Sequence, residues 1–175
     1  TLTPLDRGSI IHEILERYLS GLAGDGLLPL DRTRLAEYRT RLDRMARKVF
    51  RDFEQSGAVG YPFMWQVEQE HILTDLQAWL SREVDDAEGF VPAFFEARFG
   101  PSRYGAPTPG STAAPLELTA GGTRLWLTGF VDRIDLHPRG RARVIDYKSG
   151  GVYNVRPNLF RGGESLQLPI YILAA

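Results

Sequence analysis

Apolar residues recur at three- and four-residue spacing through most of the first half of the chain, the pattern of amphipathic helices. From Arg7 to Leu22, the positions Ile10, Ile11, Ile14, Leu15, Tyr18, Leu19 and Leu22 form one stripe, which Gly21 and Gly24 bring to an end. A second stripe, Leu35, Tyr38, Leu42, Met45, Val49 and Phe53, runs from Asp31, whose short carboxylate suits an N-cap, to Gln55 and closes near Gly57. A third begins after Pro62, carries Trp65, Ile72, Leu76, Trp79, Leu80 and Val84, and ends at Gly89. The periodicity then changes. Phe94 to Gly100 alternates, and Leu116 to Ala120, Leu125 to Leu136 and Arg143 to Lys148 are short apolar or β-branched runs, which predict a second half made mostly of sheet. Gly121-Gly122 and Pro138-Arg139-Gly140 sit where hairpin turns belong, and Pro101 to Pro115 reads as a flexible loop. Leu168 to Ala175 returns to an apolar helical pattern, with Pro169 tolerable in a first turn that starts near Ser165.

Composition limits what this pattern can build. With 175 residues, 43% of them hydrophobic, the chain suffices for one compact domain with its own core and leaves little room for two. Its net charge of -1 excludes a basic coat over the whole molecule, so any surface for an anionic ligand must be local. Such a surface is legible. Gln66 to Gly89 holds seven acids against one arginine, whereas Gly121 to Gly163 holds eight Lys/Arg against three aspartates, which points the sheet half toward an anionic ligand. The absence of cysteine excludes disulfides, thiolate zinc, a cysteine nucleophile and an iron–sulfur cluster within these residues, and is compatible with the cytoplasm. No apolar run approaches the ~20 residues of a membrane helix, and nothing at the start resembles a cleavable signal. Because the chain opens on Thr1 and closes at Ala175 within an apolar helical pattern, we expect a piece of a larger protein.

The chemistry concentrates in the hairpin from Gly129-Phe130-Val131-Asp132-Arg133-Ile134-Asp135 to Val144-Ile145-Asp146-Tyr147-Lys148. A three-residue turn at Pro138 to Gly140 sets Asp146 opposite Asp132, while a turn one residue longer sets it opposite Arg133. Facing side chains across a strand pair lie ~4.5–5.5 Å apart at Cβ, a separation at which one divalent cation bridges two carboxylates that otherwise repel. Strand periodicity puts Lys148 on the face of Asp146. The chain uses 19 arginines and only two lysines, Lys48 and Lys148, so this ammonium is not ordinary surface charge. A compact ammonium there suits orienting a water or an anionic transition state. A plain Asp146–Lys148 salt bridge on an edge strand is the competing account. His12 lies beside the apolar stripe of the first helix, one turn after Gly8, where it is either a ligand or a packed structural histidine. His71, near Glu68 and Asp75 on an acidic helix, and His137, leading into a turn, read as structural. Gln167 and Tyr171, four apart, project from one face of the last helix, either to orient a water or anion or as a partly buried polar pair. Asp135, of opposite parity to Asp132, reads as structural, with a neighbouring arginine as its partner.

Taken in order, Gly8-x-x-x-His12, Gly129-Phe-Val-Asp132-Arg-Ile-Asp135, Asp146-Tyr-Lys148 and Gln167-Leu-Pro-Ile-Tyr171 make a set that resembles the RecB-like branch of the PD-(D/E)XK nuclease superfamily. The resemblance spans Gly8 to Tyr171. It implies an α/β fold with a restriction-endonuclease-like core, a mixed sheet flanked by helices, and a helical N-terminal half. The whole of 1–175 would be one domain, with residues about 25–90 a helical insertion and the core formed by about 91–175 plus the helix 7–22. It further implies that His12, Asp132, Asp146 and the backbone carbonyl of Tyr147 bind the metal and that Lys148 is the catalytic lysine. Glu96 matches an early strand of such nucleases and is expected to support the ligands or the strand itself. Gln167 and Tyr171 would support the site and touch the nucleic acid. Val131 stands where the superfamily's name has proline, as is usual in this branch, and the cysteines of cluster-bearing relatives are missing.

The function this implies is metal-dependent hydrolysis of DNA, by exo- or endonucleolytic cleavage, within a helicase-nuclease or a recombination-repair protein. Mg²⁺ is the expected ion, with Mn²⁺ suited to an imidazole ligand. The expected partners are DNA with a single-stranded segment and a helicase domain or subunit. Arg156 and Arg161, in the loop before Gln167, are the candidates for phosphate contact, against the simpler account that they keep that loop soluble. An inactive nuclease fold kept as a DNA-holding or scaffolding module is the alternative, although a phosphate-binding surface needs no apposed acids. A helical interaction domain with an incidental hairpin leaves the four ordered motifs unexplained.

Overall fold

The computed structural model describes residues 3–57, 59–86, 88–101 and 108–148. These fall into a helical unit that reaches Gly89 and also takes in Lys148, and a sheet unit from Phe90 to Tyr147.

In the helical unit, α1 (Pro4–Gly24) starts one turn earlier than its apolar stripe because Thr3, Pro4 and Asp6 form its N-terminus. The Thr3 hydroxyl accepts from the Asp6 N–H and the Asp6 carboxylate accepts from the Thr3 N–H, a reciprocal cap that also holds the Asp6 carboxyl below its ordinary pKa. Every residue of the predicted stripe is buried. Asp31 is a cap, as its position suggests, but of a 3-10 turn, Arg32–Arg34, that precedes α2 (Leu35–Gln55). Tyr38 explains this entry. Its hydroxyl donates to the Leu27 carbonyl at 3.2 Å and accepts from the Asp31 N–H at 3.3 Å, while Tyr18 donates to the Tyr38 carbonyl at 3.1 Å. Burial pushes the Tyr18 hydroxyl pKa well up. The buried face of α2 is Tyr38, Leu42, Ala46, Val49 and Phe50, so the centre of the stripe passes through Ala46 and Phe50, with Met45 and Phe53 only half-buried beside it. Along α3 (Pro62–Val84), Trp65 packs edge-on against Phe50 at 5.5 Å and donates its indole N–H to Glu54 at 2.7 Å. Arg7 joins α1 to α3 through Glu68 and Asp75, each at 2.6 Å.

The sheet unit contains β1 (Val91–Phe99), β2 (Leu116–Ala120), β3 (Thr123–Leu127), β4 (Gly129–His137) and β5 (Arg141–Ile145). Its main sheet has the order β1-β4-β5, antiparallel throughout, and β2-β3 is a separate hairpin. The Leu125–Leu136 run of the sequence is therefore two strands, broken at Thr128. The β2-β3 hairpin closes through Gly121 and Gly122 with φ of 56° and 81°, the doubly left-handed pair of a two-residue turn. Between β4 and β5 the turn has three residues, Pro138 to Gly140, with Gly140 at φ 73°. Ala97, Phe99, Val131 and Ile134 form the core, and Phe94, Leu116, Leu127 and Val144 pack on it. A helical first half followed by this sheet is consistent with the expected restriction-endonuclease-like α/β fold, and a parallel bridge links Phe99 to Thr112. The predicted helix at 168–175, with Arg156, Arg161, Gln167 and Tyr171, lies outside the described residues.

Candidate metal centre

Two irregularities in β1 shape the site. Pro92 pairs with Asp135 but Phe94 with Ile134, so Ala93 is an extra residue that bulges the strand. Further on, Phe95 pairs with Arg133 and Ala97 with Val131, which leaves Glu96 opposite Asp132. Glu96 has φ 48°, a left-handed conformation that costs a residue with a Cβ about 1–3 kcal/mol. Ordinary alternation fails across it, since Phe94 and Ala97, three apart, pack in one cluster. So do Val131 and Ile134 on β4.

The consequence is a carboxylate pair. Glu96 and Asp132 bring ligand oxygens within 4.8 Å of each other. Asp132 is only 9% exposed. Its Oδ2 accepts the backbone N–H of Tyr147 at 2.7 Å, which fixes the plane of the carboxylate.

Arg133 pairs with Ile145, which excludes the longer-turn register that sets Arg133 opposite Asp146. β5 ends at Ile145, and one more step in the same register sets Asp146 level with Asp132. Asp146 and Tyr147 are half-buried, and Lys148, next in the chain, is exposed. His12 lies half-buried on α1 of the helical unit. His71 is exposed on α3, and His137 accepts the Arg139 N–H on its Nδ1 at 3.0 Å, which makes it a turn residue.

Behind the carboxylates lies an ion cluster that the sequence reading only touched through Asp135. Asp135 is 0% and Arg133 1% exposed. Arg133 grips Asp135 with Nε at 2.5 Å and Nη2 at 2.8 Å, and Arg143 adds bonds to Oδ2 at 3.1 and 2.8 Å. The Phe90 ring lies 4.8 Å beneath the Arg143 guanidinium, a contact the sequence pattern did not single out. The available signal was an arginine and an aspartate two apart inside an apolar strand, where charges survive only if paired. Gly129, which opens the motif, has a packing reason. A Cβ there would lie 2.8 Å from Cζ of Phe99, its cross-strand partner.

Two carboxylates held this close repel unless a cation or proton sits between them, and oxygen donors of this kind fit a hard divalent ion. The donor set therefore suits such a metal. Residues 1–175 match the sequence profile of the PD-(D/E)XK nuclease superfamily. The chain belongs to this superfamily. No curated protein and no solved structure matches it. For a PD-(D/E)XK chain, a metal-dependent nuclease that binds DNA is the coarse function, and divalent metals are the cofactors such nucleases generally use. The cysteine-free sequence excludes an iron–sulfur cluster within it. Among the described residues no helix is long and apolar enough to cross a membrane.

Proposed function

We propose that this chain is a DNA-cleaving domain of the RecB-like branch, in which Glu96, Asp132 and Asp146 hold a divalent cation, with His12 and the Tyr147 carbonyl as further ligands. The observation that carries the reading is the facing of Glu96 and Asp132 at a strained backbone position, with ligand oxygens within 4.8 Å of each other, a spacing that one divalent cation can bridge. Mg²⁺ is the proposed ion, with Mn²⁺ a substitute. The bound ion would polarise the scissile phosphate and lower the pKa of a water. Asp132, fixed by the Tyr147 N–H, presents its carboxylate in one orientation and needs no reorganisation when substrate arrives. Lys148 orients the attacking water or balances the charge that develops on the phosphate. Gln167 and Tyr171 support the site, and Arg156 and Arg161 take backbone phosphates. The parent is a cytoplasmic helicase-nuclease or recombination-repair protein, its substrate DNA with a single-stranded segment, its partner a helicase domain or subunit. The whole chain, 1–175, acts as one nuclease domain.

The test is incubation with labelled single- and double-stranded DNA in Mg²⁺, Mn²⁺ or EDTA. Cleavage that depends on the metal and disappears in Asp146→Asn and Lys148→Ala supports the assignment. Tight DNA binding with no cleavage in any metal would replace it with the scaffolding reading.

A further inference from the structure

A buried ion pair is an expensive way to fill a strand. Removing two charges from water costs so much that well-packed apolar residues in their place are often as stable or more so. Arg133 and Asp135 are nevertheless the most deeply buried charges among the described residues, on a strand whose neighbours Val131 and Ile134 are apolar. Stability alone does not account for them.

What the pair does for its surroundings is more informative. The Nε–Nη2 edge of the Arg133 guanidinium is taken by Asp135, and Nη1 points to the Tyr147 hydroxyl at 3.4 Å. The Tyr147 backbone N–H meanwhile donates to Asp132 at 2.7 Å. Tyr147 is thus held at two points, main chain and ring, by consecutive residues of β4. This happens two residues beyond the last paired residue of β5, Ile145. Asp146 lies between these fixed ends, as a strand end that would otherwise fray is kept in register with Asp132.

On the reading of the site given above, we infer that the Arg133–Asp135 pair is a positioning device: it clamps Tyr147 and so holds Asp132 and Asp146 in the geometry that binds the cation. Arg133 touches neither metal nor DNA in this scheme. It acts by denying the Asp146–Tyr147 segment its alternative conformations, and Asp135 acts by fixing which way the guanidinium points. Arg143, stacked on Phe90, holds Asp135 from the other side.

The experiment separates positioning from folding by measuring Mn²⁺ affinity, from the free-ion electron paramagnetic resonance signal, beside the melting temperature in EDTA. In the double variant Arg133→Met, Asp135→Leu, the pair is replaced by apolar side chains, so the melting temperature in EDTA is expected to hold or rise. Mn²⁺ affinity is expected to fall about 10- to 100-fold, the usual loss when groups that orient metal ligands are removed. Should that variant fail to fold, Tyr147→Phe tests the same clamp with one atom removed, and a several-fold loss of Mn²⁺ affinity at unchanged melting temperature is expected. Parental Mn²⁺ affinity in the folded double variant, or in Tyr147→Phe where the double variant does not fold, overturns the positioning role and leaves the metal site standing. A parent chain that binds no Mn²⁺ overturns both.

Discussion

Truncation of Asp135 to alanine isolates the most exposed-to-failure contact in the sheet unit. The substitution leaves the Arg133 guanidinium, 1% exposed, without its two-pronged acceptor, at a depth where water does not take the place of the carboxylate. Breaking a buried pair from one side typically costs about 3–5 kcal/mol, because the surviving charge is stranded. Arg143 loses the same carboxylate, but its side chain is 27% exposed and stays on the Phe90 ring, so water compensates most of that loss. The expected destabilisation is therefore set by Arg133. At about 2–4 °C per kcal/mol for a chain of this length, the melting temperature should fall by roughly 6–20 °C. Asp135→Asn, which still offers one acceptor oxygen, should fall between parent and alanine variant, and Arg143→Ala should cost less than about 1 kcal/mol. Calorimetry in EDTA, backed by urea unfolding followed by circular dichroism, measures all three. A loss below about 1 kcal/mol for Asp135→Ala, or an Arg143→Ala effect as large, would refute the assignment of the burden to Arg133.

Other consequences are equally direct. Asp132→Asn should abolish metal-dependent cleavage and weaken Mn²⁺ binding while raising the melting temperature in EDTA, because the repulsion from Glu96 is relieved and the amide oxygen can still accept the Tyr147 N–H. A variant that melts like the parent and cleaves at the parental rate would remove Asp132 from the site. Gly129→Val should destabilise by about 1–3 kcal/mol, since its Cβ would displace the buried Phe99 ring, and unchanged urea unfolding would contradict the packing. In acid, three solvent-accessible carboxyls work in one direction. Asp6 is held low by the Thr3 hydroxyl, Asp31 by the Thr33 backbone N–H and Glu37 by Arg34. Their folded pKa values lie below the unfolded ones of 3.8, 3.8 and 4.5, so their stabilisation is complete above those values and drains away as pH falls through the folded ones. The urea midpoint should thus drop below about pH 4, and less steeply in the triple variant Asp6→Ala, Asp31→Ala, Glu37→Ala.

Much of this architecture was legible because the responsible signals are local. The stripe from Ile10 to Leu22 is buried throughout, Asp31 is a cap, though of the 3-10 turn rather than of α2 itself, and the glycine pair at 121–122 makes the turn its φ angles require. Proline, arginine and glycine at 138–140 fixed the register of the β4-β5 hairpin, since a glycine able to adopt φ 73° closes a three-residue turn. The failures have an equally local cause. The centre of the α2 stripe passes through Ala46, which a pattern weighted toward large residues overlooks although it is completely buried. The 3-10 turn depends on Tyr38, whose hydroxyl reaches back to Leu27 and Asp31 over distances that no periodicity encodes.

The site itself divides along the same line. Asp132 and Asp146 could be related from the sequence because one short turn separates their strands, so counting residues suffices. Glu96 could not be related to Asp132 in that way. The register of β1 against β4 is set across the 29 residues between Phe99 and Gly129 and includes a bulge at Ala93 that shifts it by one. Had β1 been regular from Val91, Asp132 would have faced Phe95, with an aromatic ring against the carboxylate. The bulge, an added residue far from any motif, is what sets Glu96 in line with Asp132, and the left-handed backbone at Glu96 is the strain that this alignment carries. Two strand irregularities that would be defects in a purely structural sheet are, here, what brings two carboxylates on neighbouring strands within 4.8 Å of each other.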